Sequence, residues 1–327
     1  MIIKRISVIG AGSWGTTLAV LLGEKGFDVK LWVRREELAN EMQIKRENTQ
    51  YLPGIKIPNN VIVDHSLKNT IDNSEMIIMA VPSEFMRKIS EEVKPYFNKQ
   101  IIVSVTKGID KDSCKTMSQV IEEEIGKIKI GVLSGPNHAE EISKKKPTAS
   151  VVASKDKKIA KIVSECLANH YFKIYQLNDV FGVEICGALK NISAIATGVC
   201  DGLYFGDNAK ASVITLGLME MNNFGRHFGA RRETVYGLAG VGDLIATCMS
   251  KHSRNRFVGE NLAKGKTLEE IKTEMKGMIA EGIPTAKAVY DYSKKNDIDM
   301  PLTHQVYEVL FEDKNLKQAI SDLLELV

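Results

Sequence analysis

Gly10-Ala11-Gly12-Ser13-Trp14-Gly15 follows directly on the apolar run at 6–9 and opens a helical pattern, with Trp14, Leu18, Leu21 and Leu22 recurring on one side, that runs to Gly26. No other stretch narrows the fold as much. In a strand–turn–helix unit the first glycine of such a G-x-G-x-x-G run permits a tight turn. The second lets a diphosphate approach the backbone, and the third lets helix and strand pack closely. The helix N-terminus then offers amide donors and positive potential to the phosphates. The turn therefore predicts a dinucleotide-binding unit; the competing reading is a merely structural Gly-rich turn.

Short runs rich in Val and Ile recur further on, at 29–33, 76–81, 101–105, 130–133 and 150–153, with a last one at 172–177. Apolar runs of this length read as strands buried on both faces of a parallel sheet. Helical patterns such as Phe85, Ile89 and Val93 lie between them, so the chain alternates β-α-β and its crossovers should be right-handed. Beyond 177 helical periodicity takes over. Thr267-Leu268-Glu269-Glu270 has the form of a capping box, and Pro284 and Pro301 suit the first turns of further helices. The expected fold class is α/β. A Rossmann-like, doubly wound parallel sheet over 1–180 binds the dinucleotide, and an all-helical C-terminal domain over 181–327 binds substrate and carries the catalytic groups.

Charge and cysteine content exclude several functions. Net charge is +3 and no basic run exceeds Lys144-Lys145-Lys146, so nothing calls for nucleic acid or an anionic membrane. Cys114, Cys166, Cys186, Cys200 and Cys248 are odd in number and contain no C-x-x-C pair, which argues against disulfides and zinc and for a reducing, cytoplasmic location. No metal is expected. The apolar stretch after Lys4-Arg5 is broken by Ser13, Thr16 and Thr17 and lacks a cleavage pattern, so neither a signal peptide nor a stable membrane insertion is expected.

A fold that prefers NAD usually places a carboxylate at the end of its second strand to hold the adenosine ribose. Here Arg34-Arg35 stand there, and guanidinium groups suit a 2′-phosphate, so NADP(H) should be accepted and preferred over NAD(H). The alternative is that Glu36 or Glu37 takes the ribose while both arginines face solvent.

Wound at about 100° per residue, the segment 183–201 puts Ile185, Ala188, Leu189, Ile192, Ile195, Ala196 and Val199 on one side. Its other side carries Glu184, Gly187, Lys190, Asn191, Ala194, Thr197, Gly198 and Asp201. A solvated face would be crowded with long charged side chains, whereas this one alternates polar groups with Gly and Ala, as if something packs close to it. An ammonium enclosed there loses hydration, tends toward neutrality and can exchange a proton with a substrate hydroxyl or carbonyl. That is the acid–base partner a hydride transfer to a ketone requires.

Five motifs occur in a telling order: Gly10 to Gly15, Thr106-Lys107-Gly108, Leu133-Ser134-Gly135-Pro136, Ala188-Leu189-Lys190-Asn191 and Gly240-Val241-Gly242-Asp243-Leu244. With Ser253-Arg254-Asn255 and the stretch from Met278 to Gly282, the chain resembles the soluble, bacterial-type NAD(P)-dependent glycerol-3-phosphate dehydrogenases over nearly its whole length. The resemblance implies interconversion of dihydroxyacetone phosphate and sn-glycerol 3-phosphate for glycerophospholipid synthesis, in a possible homodimer. It implies that Lys190 donates and accepts the proton, with Asn191, Asp243 and Thr247 beside it and Lys107 as a second lysine of the site. Arg254 and Asn255, supported by Ser253, would clamp the phosphate, and Gly135 and Asn137 would touch substrate. Gly10, Gly12, Ser13, Trp14, Gly15, Arg34, Arg35, Lys107, Ala139, Arg254, Ile279 and Glu281 would touch cofactor. Many members of the family carry a small hydroxyl residue in place of Asn137 and Val in place of Ile279.

Plainer readings stand beside these. Asp243 could cap a helix beginning after Gly242, Arg254 and Arg256 could form a charged surface face, and Lys107 could be a surface turn residue. The competing functions are a 3-hydroxyacid dehydrogenase of similar plan, a flavoprotein, and a non-catalytic NAD(P)-binding sensor that would need neither Lys190 nor Arg254.

Overall fold

The computed structural model describes residues 3–275 and 277–324. Ten strands occur in chain order: β1 (Arg5–Ile9), β2 (Asp28–Trp32), β3 (Glu47–Asn48), β4 (Leu52–Lys56), β5 (Val61–Asp64), β6 (Met76–Met79), β7 (Ile101–Ser104), β8 (Lys129–Ser134), β9 (Thr148–Ala153) and β10 (Phe172–Leu177). β3 and β4 pair as a small antiparallel ribbon, and the others form one sheet in the order β10-β9-β8-β7-β6-β1-β2-β5. From β5 to β8 all strands are parallel and follow the doubly wound order, which reverses between β1 and β6.

Both faces of this sheet are covered, which is why its strands read as continuous apolar runs. Ile6, Val8, Leu31, Ile78 and Val103 face a core shared with Leu18 and Leu22 of the Ser13–Glu24 helix. Ile9, Ile77, Met79 and Ile102 face the opposite core, closed by Ile89, Val93, Val120 and Ile121.

The sheet is not parallel throughout. β9 runs antiparallel to β8, with Val132 opposite Ala153, and β10 is parallel to β9. The connection at 135–147 carries a helix of only four residues, Ala139–Ile142, too short to bring the chain back along the strand as the helix of a parallel crossover does. β3, β4 and the edge strand β5, which has Val61 and Val63 inward and Ile62 exposed, go beyond the strands expected from the apolar runs.

Two compact units result, residues 3–106 with Met117–Val180, and Lys107–Thr116 with residues 181–324. The second contains helices and no strand among the described residues. The Thr267–Glu270 capping box forms, with both of its reciprocal hydrogen bonds, and Pro301 stands in the first turn of the Pro301–Phe311 helix. Glu220 caps that helix from a distance, accepting from the Thr303 amide at 3.2 Å and hydroxyl at 2.6 Å.

The central helix of this unit, Val180–Gly202, is the one among the described residues long and apolar enough to cross a membrane, yet 89% of that window is buried inside the protein. It crosses the Arg254–Ala263 helix on glycines from both partners. A Cβ at Gly198 would lie 2.0 Å from the Arg256 carbonyl oxygen, and one at Gly259 would lie 1.8 Å from the Ile195 carbonyl oxygen. What packs against the small-residue face at Gly198 is thus another helix, and the polar residues Lys190 and Asn191 lie two turns N-terminal to the crossing.

Candidate active site

In the first unit the glycine turn has the geometry that its three glycines imply. Gly10 adopts φ +113°, and a Cβ there would stand 2.8 Å from the Ala80 carbonyl oxygen at the end of β6. A Cβ on Gly15 would stand 1.9 Å from the Gly10 carbonyl oxygen, so only glycine lets the helix begin this close to the turn. A Cβ on Gly12 would meet no protein atom within 4 Å, so what needs the room is not the protein itself. The Ser13–Glu24 helix has no side-chain cap and no acidic residue in its first turn, and the Trp14 indole N–H has no acceptor among the described residues. Uncapped amides at a topological switch point, beside space kept by a glycine, fit the diphosphate of a dinucleotide.

Ala139, Arg34 and Arg35, also expected at the cofactor, lie in the same unit, whereas Lys107, Arg254, Ile279 and Glu281 belong to the other. Ala139 is buried beside the same helix, where its carbonyl accepts from the Thr17 hydroxyl at 3.4 Å. Arg34 and Arg35 are exposed after β2. The Arg34 guanidinium lies 5.3 Å from the centre of the Phe85 ring, and Arg35 donates to Gln50 Oε1. Gly135 and Asn137, expected at the substrate, lie in this unit too: Gly135 (φ +124°) follows β8, where a Cβ would meet Ser150 Cα at 3.1 Å, and Asn137 is buried two residues later.

In the second unit Lys107, Lys190, Asp243 and Thr247 converge. Lys190 Nζ donates to Asp243 Oδ1 at 2.7 Å and to Thr247 Oγ1 at 2.5 Å, while Lys107 Nζ donates to Asp243 Oδ2 at 2.7 Å. Residue exposures of 4% for Lys190 and 1% for Asp243 make this a buried lysine–carboxylate–lysine cluster; Lys107 keeps 17% of its side chain accessible. Asp243 reaches the lysines because a π-helical turn, Leu238–Gly242, precedes it. Gly240 is obligatory in that turn, since a Cβ there would lie 1.8 Å from the Val235 carbonyl oxygen. Asp243 is the first residue of the Asp243–Met249 helix and does not cap it; both carboxylate oxygens are taken by the lysines, which corrects the capping alternative.

Electrostatics follow from this packing. Burial works to raise the Asp243 carboxyl, but the ammonium groups of Lys107 and Lys190 outweigh it and hold the group below the usual carboxylate range. Burial, with repulsion from Lys190, pulls Lys107 down to about 7 against the attraction of Asp243. The arrangement offers a proton that can move near neutral pH and a positive field for a developing alkoxide.

A second network runs beside the cluster. Asn191 Nδ2 donates to the Lys107 carbonyl at 3.2 Å and to the Gly187 carbonyl at 3.3 Å. Asn255 Nδ2 donates to Asn191 Oδ1 at 2.9 Å, and the Gly282 amide donates to Asn255 Oδ1 at 2.9 Å. Ser253 caps the Arg254–Ala263 helix through the Arg256 amide at 3.2 Å. Arg254 is exposed in its first turn, whereas Arg256 is drawn away onto Asp201 and Glu260. Ile279 and Glu281 are half-buried just before the Gly282–Asn296 helix.

The residues expected on the sequence thus fall into a dinucleotide group in the first unit, joined by Gly135 and Asn137, and a second group in the helical unit. That second group is Lys107, Lys190, Asn191, Asp243, Thr247 and Asn255, with Ser253 and Arg254 beside Asn255. Gly240 and Gly282, which shape the second group, entered the sequence reading only as the ends of motifs, with no role given to either; Gly240 stands three residues before Asp243, and Gly282 directly follows Glu281. Among the described residues no cluster of His, Cys, Asp or Glu could hold a metal ion.

Fold and turn together define a two-unit, dinucleotide-binding protein of the dehydrogenase class. Residues 5–160 match the N-terminal, and 179–321 the C-terminal, model of NAD-dependent glycerol-3-phosphate dehydrogenase. Glycerol-3-phosphate dehydrogenase [NAD(P)+] of Chlorobium phaeobacteroides (strain BS1) is 46% identical over 98% of this chain and 97% of its own. The crystal structure of glycerol-3-phosphate dehydrogenase (gpsA) from Coxiella burnetii superposes with a TM-score of 0.95 at 39% identity, covering 98% of this chain and 99% of that one. A ketopantoate reductase of the PanE/ApbA family from Ralstonia eutropha, 11% identical with a TM-score of 0.63 over 97% of this chain and 99% of that one, shares the fold alone. The chain belongs to the NAD-dependent glycerol-3-phosphate dehydrogenase family.

Proposed function

We propose that this protein interconverts dihydroxyacetone phosphate and sn-glycerol 3-phosphate with NAD(P)(H), in the cytoplasm and for glycerophospholipid synthesis. The observation that carries the proposal is the shared carboxylate: Lys190 and Lys107 each stand 2.7 Å from the buried Asp243. A bound nicotinamide supplies or accepts the hydride at substrate C2. Lys190 gives the carbonyl oxygen its proton and takes it back in the reverse direction, Asp243 and Thr247 aim that ammonium, and Lys107 adds positive charge near the forming alkoxide. Arg254, whose fork matches a phosphate, and Asn255 hold the anionic end so that the reacting carbon is aligned. A homodimer is the assembly to test by sedimentation.

The clamp is tested by Arg254→Ala. Its KM for dihydroxyacetone phosphate should rise at least about tenfold, on the scale of a lost charge-assisted hydrogen bond, with a much smaller change for NAD(P)H. Equal changes in both constants would remove Arg254 from the phosphate site.

Cofactor choice follows from Arg34 and Arg35. NADPH should have the higher kcat/KM, and the Arg34→Ser/Arg35→Ser variant should lose that preference while keeping activity with NADH. A parent enzyme that uses NADH more efficiently would refute this.

Lys107 sets a pH dependence. Below a pH of about 7 it adds a positive charge to the site, and above that pH it does not, so kcat/KM for the anionic substrate should decline as pH rises through about 7. Lys107→Arg keeps the charge and should abolish that limb, leaving the substrate phosphate's own ionisation. An unchanged profile in the variant would rule out Lys107 as its source.

A further inference from the structure

Gly282 has no side chain to offer a ligand, yet it closes the hydrogen-bond chain that starts at Lys107. A backbone N–H can only donate, so its 2.9 Å bond to Asn255 makes the facing atom Oδ1. Asn255 must then turn Nδ2 toward Asn191 Oδ1, at 2.9 Å, and Asn191 turns Nδ2 toward the carbonyls of Lys107 and Gly187. Both Asn191 Nδ2 hydrogens are used, but the second Asn255 hydrogen has no acceptor among the described residues. Asn255 directly follows Arg254 in the first turn of the Arg254–Ala263 helix. Space is as specific as direction: a Cβ on Gly282 would stand 2.6 Å from the Asn191 carbonyl oxygen, 2.9 Å from Asn255 Oδ1 and 2.9 Å from Ile195 Cδ1.

We infer that Gly282 is a positioning residue for the substrate phosphate. By donating to Asn255 Oδ1 at an approach only glycine allows, it holds that amide in the one orientation that turns an N–H, rather than a carbonyl, toward the anion gripped by Arg254. A flipped amide would set Nδ2 against the Gly282 N–H, set Oδ1 against Asn191 Oδ1, and offer oxygen to the phosphate. The inference rests on the proposed function, with Arg254 and Asn255 as the clamp.

A double-mutant cycle of Gly282→Ala, Asn255→Ala and the pair, assayed with dihydroxyacetone phosphate and NADPH, tests it. Gly282→Ala should raise KM for dihydroxyacetone phosphate about tenfold or more and leave KM for NADPH within about twofold. The pair should be no worse than Asn255→Ala alone, because Gly282 acts only through that amide. Effects that multiply in the pair overturn the inference. Should Gly282→Ala not fold, inorganic phosphate titrated into the parent enzyme should shift the Gly282 amide NMR signal, and should not do so in Asn255→Ala. A missing shift in the parent, or the same shift in both, also overturns it. A parent enzyme that does not oxidise NADPH with dihydroxyacetone phosphate refutes the proposed function itself, whereas an active parent with a multiplicative cycle refutes only the role of Gly282.

Discussion

Lys190→Ala should lower kcat by about 10²-fold or more, the scale of a positioned acid–base group, while KM for NAD(P)H should stay within about twofold. Folding should survive the change, because Asp243 keeps its 2.7 Å ion pair with Lys107 and is not left as an unpaired buried charge. Cofactor binding should survive because the glycine turn belongs to the other compact unit. What disappears is the ammonium that Asp243 and Thr247 aim. Steady-state kinetics at saturating cofactor and the fluorescence of bound NADPH measure the two halves of the statement. Near-normal turnover would mean that the proton comes from elsewhere.

Gly259→Ala should have the largest effect on stability. The added Cβ would lie 1.8 Å from the Ile195 carbonyl oxygen and 2.8 Å from the Val199 amide nitrogen, both main-chain atoms that cannot swing aside. The two helices must separate, and overpacking of this kind costs about 1–3 kcal/mol or more. At about 2–4 °C per kcal/mol for a unit of this size, Tm should fall by roughly 2–12 °C. The same displacement moves the N-terminus of the Arg254–Ala263 helix, so KM for the phosphorylated substrate should rise as well. An unchanged Tm in a calorimetric scan would show that the crossing is looser than its glycines imply.

Gly10, Gly12 and Gly15 were legible in advance because their roles are local: a turn, a space and a close contact within six residues of chain. Lys190 was legible because a lysine among Gly, Ala and Asn on one helical face is chemically out of place. The Val180–Gly202 helix also shows where such inference stops. Its small residues had two clients, the polar cluster at Lys190 and a helix crossing at Gly198, and one sequence face does not tell them apart. Nor does any local rule say that Lys107 and Lys190 share Asp243, since the pairing spans 136 and 53 positions and depends on a π-helical turn at Leu238–Gly242. β9 and β10 reversed direction because the link after β8 holds a helix of only four residues, too short to return the chain along the sheet, a property of the connection that strand-like runs do not carry.

The most direct measurement is the oxidation of NADPH on adding dihydroxyacetone phosphate to the purified protein, with the product assayed stereospecifically. One sn-glycerol 3-phosphate should form for each NADPH consumed. Tight NADPH binding with no such product would contradict the proposed function.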